Sequence, residues 1–503
     1  MEKVTDTGEA FLPAKHNEVT KAGEAPPHIE ITTEKPAKRE DKLSVNADVL
    51  IIGAGGSGLT AAVQAHMNGA TVLVLVLEKM PKIGGNTILA GGAINAVDDR
   101  SEAAIKNNDS VEHHYRQTLA GGDFQGNPAL VHILVSRAWK AVEWIQSLGM
   151  RFLEGIFSVT GGLWPRAHKP EAPAGTGFIK TYQAYIDIHE GIQVMLNTAA
   201  KAFIQDPSGR VTGVLAKGET GNLVTATANM GVVIATGGFS RNLELRQAFN
   251  TQWADLGPHM PSTNHPGATG DGIKMLMKIG ADLIQMGNIQ LLPLGDPQTG
   301  SLSGNSGFKV DSRVFVNKEG RRFINEGGRR DDMTRALFAQ TDSFMWMITG
   351  TDKSPEEREK SIFNEILNSI VAEGRAFKGE TLRELADKIN VPYENLKATM
   401  EDFNRHCETG EADAFGRTFY GTPVDTPPFY AAGRVPTVHH TMGGARINEF
   451  AQVISENGDI IHGLYAAGEV TGGIHGANRL GGNALTEVLV FGRIAGESAA
   501  MGR

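Results

Sequence analysis

Residues 49–78 constrain the fold more than any other stretch, because they combine two apolar runs with a glycine-rich turn. The run Val49–Ile52 predicts a buried strand that ends at Gly-Ala-Gly-Gly-Ser-Gly, residues 53–58, a match to G-x-G-x-x-G. A helical stretch follows from Leu59 to about Asn68, and a second apolar run, Thr71–Leu77, ends at Glu78. A strand, glycines, a helix, a strand and an acid in this order predict a dinucleotide-binding β-α-β unit.

The glycines and the acid of this unit have distinct physical roles. Gly53 allows the tight turn, Gly55 lets a pyrophosphate approach the backbone, and Gly58 lets the helix pack closely on the strand. The N-terminus of the helix faces the phosphates and stabilises their negative charge. Glu78 is predicted to accept hydrogen bonds from a ribose hydroxyl, which favours an adenosine without a 2′-phosphate. It lies slightly beyond the usual ~20 residues, so a bulge is expected in the second strand.

Size and composition exclude several classes of protein. At 503 residues the chain is long enough for two or three domains. A net charge of −9 gives no basic surface for nucleic acid. The longest apolar runs, about six to eight residues, are far shorter than the ~20 needed to span a bilayer, so no integral membrane segment is expected. Cys407 is the only cysteine, which excludes internal disulfides and cysteine-rich metal sites, and we predict no metal.

Residues 1–45 are rich in Lys, Glu, Pro and Thr without sustained periodicity, which predicts a polar N-terminal extension. Two interpretations stay open, a tail that contacts a partner and a disordered leader without function. No basic region followed by an apolar core marks a signal peptide, so a cytoplasmic protein is expected. A periplasmic chain from which a signal peptide had been removed would look the same.

Strand-like runs in residues 188–237 point to the class of dinucleotide. The last of them, Val-Val-Ile-Ala-Thr-Gly-Gly at 232–238, is a buried strand that ends in small residues and lets backbone approach a ligand. This run, far downstream of a dinucleotide fingerprint, is typical of FAD proteins of this fold. The loops at 84–87 (Gly-Gly-Asn-Thr) and 90–96 suit backbone contact with a pyrophosphate and a flat ring.

The rest of the chain predicts two domains. Apolar residues at intervals of three and four predict an amphipathic helix at 128–148, and a further helix is expected at about 271–279. The region 288–440 has fewer apolar strands and a charged helical segment, 354–404, which predicts a second domain inserted into the first. The final helix is expected at 483–500, with its N-terminal dipole free to face an electron-rich ring edge.

These stretches together resemble the flavoprotein family of soluble fumarate reductases, which includes the flavin-bearing part of flavocytochrome c and urocanate reductase. The resemblance covers about residues 46–503. The motifs that carry it are GAGGSG at 53–58, GGNT at 84–87, ATGGF at 235–239, TGDG at 269–272, NKEGRRFINEGGRRD at 317–331, HHTMGG at 439–444 and GLYAAGEVTGGIHGANRLGGNAL at 463–485.

The resemblance implies an α/β fold, in which an FAD-binding Rossmann-like domain (46–287 and 441–503) carries an inserted α+β capping domain (288–440). FAD is expected to bind without covalent attachment. The implied cofactor-binding residues are Gly53, Gly55, Gly56, Ser57, Gly58, Glu78, Lys79, Gly84, Gly85, Asn86, Thr87, Gly91, Gly92, Ala235, Thr236, Gly237, Gly238, Asp271, Gly468, Glu469, Asn483, Ala484 and Leu485.

The resemblance also implies an activity, the reduction of the C=C bond of a fumarate-like α,β-unsaturated carboxylate. His439 and Arg479 match the family's carboxylate ligands, and Arg330 matches its proton donor, with Arg329 as the neighbour that would replace it if the register slipped. In the family a hydride passes from flavin N5 to the β-carbon of the substrate, and an arginine protonates the α-carbon. Cationic groups on the carboxylate stabilise the charge that develops in the transition state.

The chain departs from the family in its predicted substrate pocket. Leu292 occupies the position of a histidine that holds the second carboxylate, and Ser306 and Lys309 occupy the positions of a Glu-Arg proton relay. A leucine cannot bind a carboxylate, so an enoate with one carboxylate and an apolar or aromatic far end is expected. Fumarate held by other donors, Asn305 or Ser306, stays open as an alternative.

The sequence carries no haem motif and no second dinucleotide fingerprint after a strand, so a separate electron donor, a redox protein or a reduced carrier, is expected. Two other functions stay open on the same scaffold. One is a dehydrogenase of a ketone such as a steroid, against which the guanidinium of Arg479 argues. The other is a flavin electron-transfer protein without turnover of an enoate, for which the altered relay argues.

Overall fold

The computed structural model describes residues 42–70, 73–304, 310–350 and 367–503. The strands are β1 (Leu43–Ile52), β2 (Val74–Leu77), β3 (Ile94–Asn95), β4 (Ala167–His168), β5 (Ile192–Met195), β6 (Ala199–Gln205), β7 (Val211–Lys217), β8 (Leu223–Ile234), β9 (Leu283–Ile284), β10 (Ile289–Gly295), β11 (Val314–Val316), β12 (Met345–Thr349), β13 (Ala376–Gly379), β14 (Phe429–Thr441), β15 (Gly444–Ala445), β16 (Gln452–Ile454) and β17 (Ile460–Ala466).

The described α-helices are interspersed with these strands along the chain. They are α1 (Gly56–Met67), α2 (Gly85–Leu89), α3 (Glu102–Lys106), α4 (Val111–Gly121), α5 (Pro128–Ser147), α6 (Thr176–Asp187), α7 (Leu243–Phe249), α8 (Asp271–Lys278), α9 (Arg330–Phe338), α10 (Leu367–Ala372), α11 (Leu382–Lys388), α12 (Tyr393–Thr409) and α13 (Asn483–Met501). Among the described residues, no helix combines the length and apolarity that crossing a membrane requires.

The first sheet explains why the glycine-rich turn lies at the edge of a large cavity. Its strand order is β16-β17-β8-β1-β2-β5, with β7 paired to β8 and β6 to β7. β1 pairs in parallel with β2 and with β8, so the turn after Ile52 and the small residues after Ile234 meet at the same end of the sheet. The ends of these strands are buried and continuously apolar, as expected for a parallel sheet covered on both faces.

The second sheet is built from residues 289–441 and is antiparallel, in the order β10-β14-β12-β11 with β13 also paired to β14. One face packs on α11 and α12 in a core that includes Val314, Ile348 and Leu396. The other face packs on α9 and α10 in a core that includes Leu292, Phe315 and Met347. Residues 41–503 form one compact unit, so the predicted domain boundaries stay a prediction.

Two local predictions differ from the structure. β2 begins at Val74, whereas the predicted strand began at Thr71, which lies outside the described residues. The expected bulge is absent from the described pairing, because Val49–Ile52 pair one to one with Val74–Leu77. The helical segment predicted from Ser354, also outside the described residues, is broken by β13 into α10, α11 and α12. β13 forms there because its backbone pairs with β14, a long-range contact that overrides local helical preference.

Candidate active site

A cavity of about 640 Å³ lies at the ends of β1, β2 and β8 and extends to β10. Gly53 has φ +103°, and a Cβ at Gly58 would lie 1.8 Å from the carbonyl oxygen of Gly53, so both positions require glycine. A Cβ at Gly55 would meet no atom within 4 Å, and Gly55 lines the cavity. The backbone is therefore open to a pyrophosphate at the predicted position.

Glu78 and the groups around it form the adenosine end of this cradle. The buried carboxylate of Glu78 accepts hydrogen bonds from the amides of Ala54 and Met80, both at 2.8 Å, and it lines the cavity. Each carboxylate oxygen keeps a further lone pair for a hydroxyl group. Among the described residues, the hydroxyl oxygen of Thr236 is buried in the cavity wall without a hydrogen-bond partner. An open backbone, an acid and an unpaired hydroxyl suit a polar dinucleotide such as FAD.

Most predicted cofactor-binding residues line this cavity. Those that do are Gly53, Gly55, Gly56, Ser57, Glu78, Lys79, Gly85, Asn86, Thr87, Gly91, Gly92, Ala235, Thr236, Gly237, Asp271, Glu469, Ala484 and Leu485. Gly58, Gly84, Gly238, Gly468 and Asn483 are not among the lining residues. Asn483 is buried and instead accepts hydrogen bonds from the side chains of Asn95 and His114, at 2.8 and 2.9 Å. Cofactor contact stays a prediction for the lining residues and for these five alike.

Two guanidinium groups that line the same cavity lie close together. Arg330, the first residue of α9, and Arg479 are both buried and both donate to Oε1 of Gln290, each at 3.2 Å. Arg330 Nε also donates to the carbonyl of Thr160 at 3.0 Å. Gln290 is held from the other side, because its Nε2 donates to the carbonyl of Arg479 at 2.8 Å. One amide oxygen thus fixes the spacing of two like charges.

A β-bulge directs His439 towards these arginines. In the β10–β14 pairing, Gln290 lies opposite His440 and Leu291 lies opposite Val438, so His439 is the extra residue. Its Nδ1 is 2.8 Å from Thr263 Oγ1, and His439 lines the cavity with Arg330 and Arg479. The structure therefore brings together the three residues predicted to be catalytic, from positions 330, 439 and 479.

The electrostatics of this group favour an anion. Burial lowers the pKa of Arg479 to about 10, and burial together with the charge of Arg479 lowers the pKa of Arg330 well below its ordinary value. Burial, followed by the two arginine charges, holds the pKa of His439 well below its ordinary value. Near pH 7 the site therefore contains the neutral imidazole of His439 beside the cationic guanidinium of Arg479. A carboxylate placed there would offset the cost of burying unpaired positive charge.

The remaining predicted pocket residues divide into two groups. Leu292 is buried and lines the same cavity, as expected. Asn305, Ser306 and Lys309 lie outside the described residues. Arg329 does not line the cavity, because its guanidinium is turned to Asp123, at 2.5 Å, and to Asp331, at 2.9 Å.

Sequence reasoning did not identify Gln290 as part of the site. Its signal is a single polar side chain inside the apolar run of β10, where it is only 1% exposed. A buried amide in such a strand requires partners, and its side-chain partners here are the two arginines and Asn478.

A second buried cluster lies beside the site and consists of His440, His475 and Glu487, whose ligand atoms lie within 4.8 Å of one another. His475 Nε2 already forms a 2.8 Å hydrogen bond with Glu487 Oε2. The predicted absence of a metal stays a prediction.

Comparisons with known proteins agree with this geometry. A family model described as FAD binding domain matches residues 48–485. The chain is 36% identical to an NADH:acrylate oxidoreductase of Vibrio harveyi, over 90% of this chain but only 50% of that protein, so it spans half of that relative's length. It is 34% identical to a urocanate reductase of Eggerthella lenta, over 98% of this chain and 80% of that protein. The open conformation of a flavocytochrome c3 fumarate reductase superposes with a TM-score of 0.68 at 32% identity, covering 92% of this chain and 79% of that one.

Proposed function

Because the chain belongs to the fumarate reductase-like flavoproteins of the FAD binding domain family, we propose that it reduces the C=C bond of an α,β-unsaturated carboxylate. The observation that carries the proposal is a single cavity in which a dinucleotide cradle adjoins Arg330, Arg479 and His439. Acrylate, urocanate and fumarate, which appear in the names of these relatives, share a carboxylate conjugated to a double bond. The cavity suits that shared group.

In this proposal Arg479 and His439 bind the substrate carboxylate. Arg479 is cationic, and its Nε has no hydrogen-bond partner among the described residues. The neutral His439 has one ring nitrogen fixed by Thr263, so the other can meet a carboxylate oxygen. These groups draw electron density towards the carboxylate and stabilise the negative charge that develops there as the double bond is reduced.

Arg330 is the proposed proton donor to the α-carbon. FAD, when bound and reduced by the separate electron donor, would supply the hydride that the β-carbon receives. The balanced reaction therefore needs one proton, which leaves an Arg330 nitrogen and is later replaced from solvent. An arginine is ordinarily a poor acid, with a reference pKa above ~12. Burial and the neighbouring charge of Arg479 lower the pKa of Arg330, which makes proton release easier.

Electrons are proposed to reach the flavin from a separate redox protein or a reduced carrier. The name of the Vibrio harveyi relative assigns NADH to that protein, of which this chain spans half.

One experiment tests the function against its alternatives. The flavin is photoreduced without oxygen and mixed with a panel of enoates and enones. Rapid reoxidation by enoates alone supports the proposal. Reoxidation by enones alone would instead indicate a ketone dehydrogenase, and reoxidation by neither would indicate an electron-transfer protein.

We expect the purified protein to be yellow and to release intact FAD on mild denaturation. The cradle offers backbone groups and a buried acid, which bind a dinucleotide without a covalent bond. The released flavin is identified by chromatography against FAD and FMN. Flavin that stays with the denatured chain, or FMN in the supernatant, would contradict the prediction.

Leu292→His is expected to shift substrate preference towards fumarate. Leu292 gives the cavity wall an apolar surface, so the wild type should favour acrylate-like or cinnamate-like monocarboxylates. An apolar contact of this size discriminates by about 10- to 200-fold. The measurement is the ratio of kcat/KM for acrylate and fumarate with one artificial donor, and Leu292→Met is the volume-matched control. A wild type that already reduces fumarate best, with the ratio unchanged by Leu292→His, would show that another residue binds the second carboxylate.

A further inference from the structure

A third buried guanidinium lines the cavity beyond Leu292. Arg313 directly precedes β11 and is 2% exposed. It shares the cavity wall with Leu292, Leu294, Leu302 and Val310. Alternation along the strand puts Arg313 on the same face as Phe315, which lies opposite Met347 in the β11–β12 pairing. This face is the apolar one that packs on α9, the helix that begins with Arg330.

Arg313 has an unusual set of partners for a buried cation. Its hydrogen-bond partner among the described residues is the thioether of Met347, 3.8 Å from Nη1, which is a weak acceptor. Its Nε has no hydrogen-bond partner among the described residues. The charge of Asp311 stabilises the guanidinium, and the charges of Arg434 and Arg417 oppose it. Burial lowers the pKa of Arg313 to about 10, so the group is still cationic near pH 7.

Other buried arginines of the described residues have oxygen acceptors. Arg246 donates to the backbone carbonyls of Ser240, Met260 and Gly257, and two further arginines have carboxylate partners. Arg166 pairs with Asp109 at 2.8 Å, and Arg417 pairs with Glu326 at 2.8 Å. Burying a cation without such a partner is unfavourable, because no attraction to an acceptor offsets its loss of hydration. An anion that enters the cavity would offset the desolvation cost of Arg313. A guanidinium is suited to bind a carboxylate in bidentate geometry.

Resting on the proposed function, we propose that Arg313 binds a second carboxylate at the far end of the substrate, beyond an apolar spacer that lies on Leu292 and Leu294. The substrate class is then an enedioate whose carbon chain is longer than that of fumarate. Sheet order supports the spacer, because His439 lies in β14 and Arg313 directly precedes β11, and β12 lies between these two strands, so their backbones are about 10 Å apart at ~4.8 Å per strand. Fumarate is too short to reach both ends.

The test compares enoates of equal chain length with and without a terminal carboxylate. The pairs are crotonate and fumarate, 2-hexenoate and 2-hexenedioate, and 2-octenoate and 2-octenedioate. In the wild type we expect the diacid to be favoured in kcat/KM only at six or eight carbons. Arg313→Met should lower that preference by about 10- to 100-fold and leave the monoacids unchanged, and Arg313→Lys should restore part of it.

A wild type without preference for any diacid, or a preference that Arg313→Met does not change, would overturn the proposal. A preference for fumarate that depends on Arg313 would overturn the spacer. A binding readout separates this inference from the proposed function, since suberate should raise the melting temperature of the oxidised, FAD-loaded wild type more than octanoate does. If no enoate is reduced but this difference is present and is lost in Arg313→Met, the proposed function fails and the binding site stands. Equal stabilisation by both acids would count against the site.

Discussion

Arg330→Ala should lower kcat for enoate reduction by about 10²- to 10⁴-fold, the usual effect of losing a proton donor. FAD should stay bound, because the guanidinium of Arg330 donates to Gln290 and Thr160 rather than to the glycine-rich turn. The loss should fall on kcat and kcat/KM together, because a proton transferred in the transition state contributes nothing to ground-state binding. Steady-state kinetics with an artificial donor, and flavin absorbance per chain, measure both quantities.

Two further variants test whether the loss of activity is specific to the guanidinium of Arg330. Arg329→Ala is the matched control, because it removes the adjacent guanidinium, which faces Asp123 and Asp331 instead of the cavity. It should keep most of the activity. Arg330→Lys keeps a charge but not the two-point contact with Gln290 and Thr160, so it should stay strongly impaired. Full turnover in Arg330→Ala with loss of turnover in Arg329→Ala would show that Arg329, and not Arg330, is the proton donor.

The cofactor end was predictable from the sequence because its rules are local. The turn at Gly53 and Gly58 needs backbone geometry that only glycine provides, and strand, turn and helix lie next to one another along the chain. The comparisons confirm the predicted family, fold class and FAD cofactor. Arg330, His439 and Arg479 lie far apart in sequence, so their common location followed from the family resemblance and not from spacing.

The rest of the pocket depends on features that no local pattern encodes. His439 faces the cavity because of a one-residue bulge against β10, and the pairing register sets that bulge. Gln290 and Arg313 are buried polar residues in strand-like runs, and a sequence does not tell whether such a residue meets an ion pair, a ligand or water. Their environment is set by which strands become neighbours in the second sheet.

Glu326 lies in the NEGGRRD stretch and connects several of these pieces. It is 1% exposed, and its carboxylate accepts from Arg322 Nε at 2.9 Å, from Arg417 Nη1 at 2.8 Å and from the amide of Phe315 at 3.1 Å. The amide of Phe315 belongs to β11, the strand that follows Arg313. This buried carboxylate thus bridges two buried guanidinium groups, of which Arg322 also pairs with Asp413 at 2.7 Å, and it anchors the segment that presents the proposed second carboxylate site.

Glu326→Ala should therefore destabilise the fold by about 3–5 kcal/mol, because removing one partner of a buried pair leaves an uncompensated charge. The free energy of unfolding is measured by urea titration at equal FAD saturation. Glu319→Ala, an exposed acid in the same segment, is the control and should change stability by less than about 0.5 kcal/mol. Glu326→Gln keeps an acceptor for the amide of Phe315 but not the charge, so it should lie between the two. If Glu326→Ala were as stable as Glu319→Ala, neither arginine would depend on this carboxylate, and Asp413 would be the carboxylate that compensates the charge of Arg322.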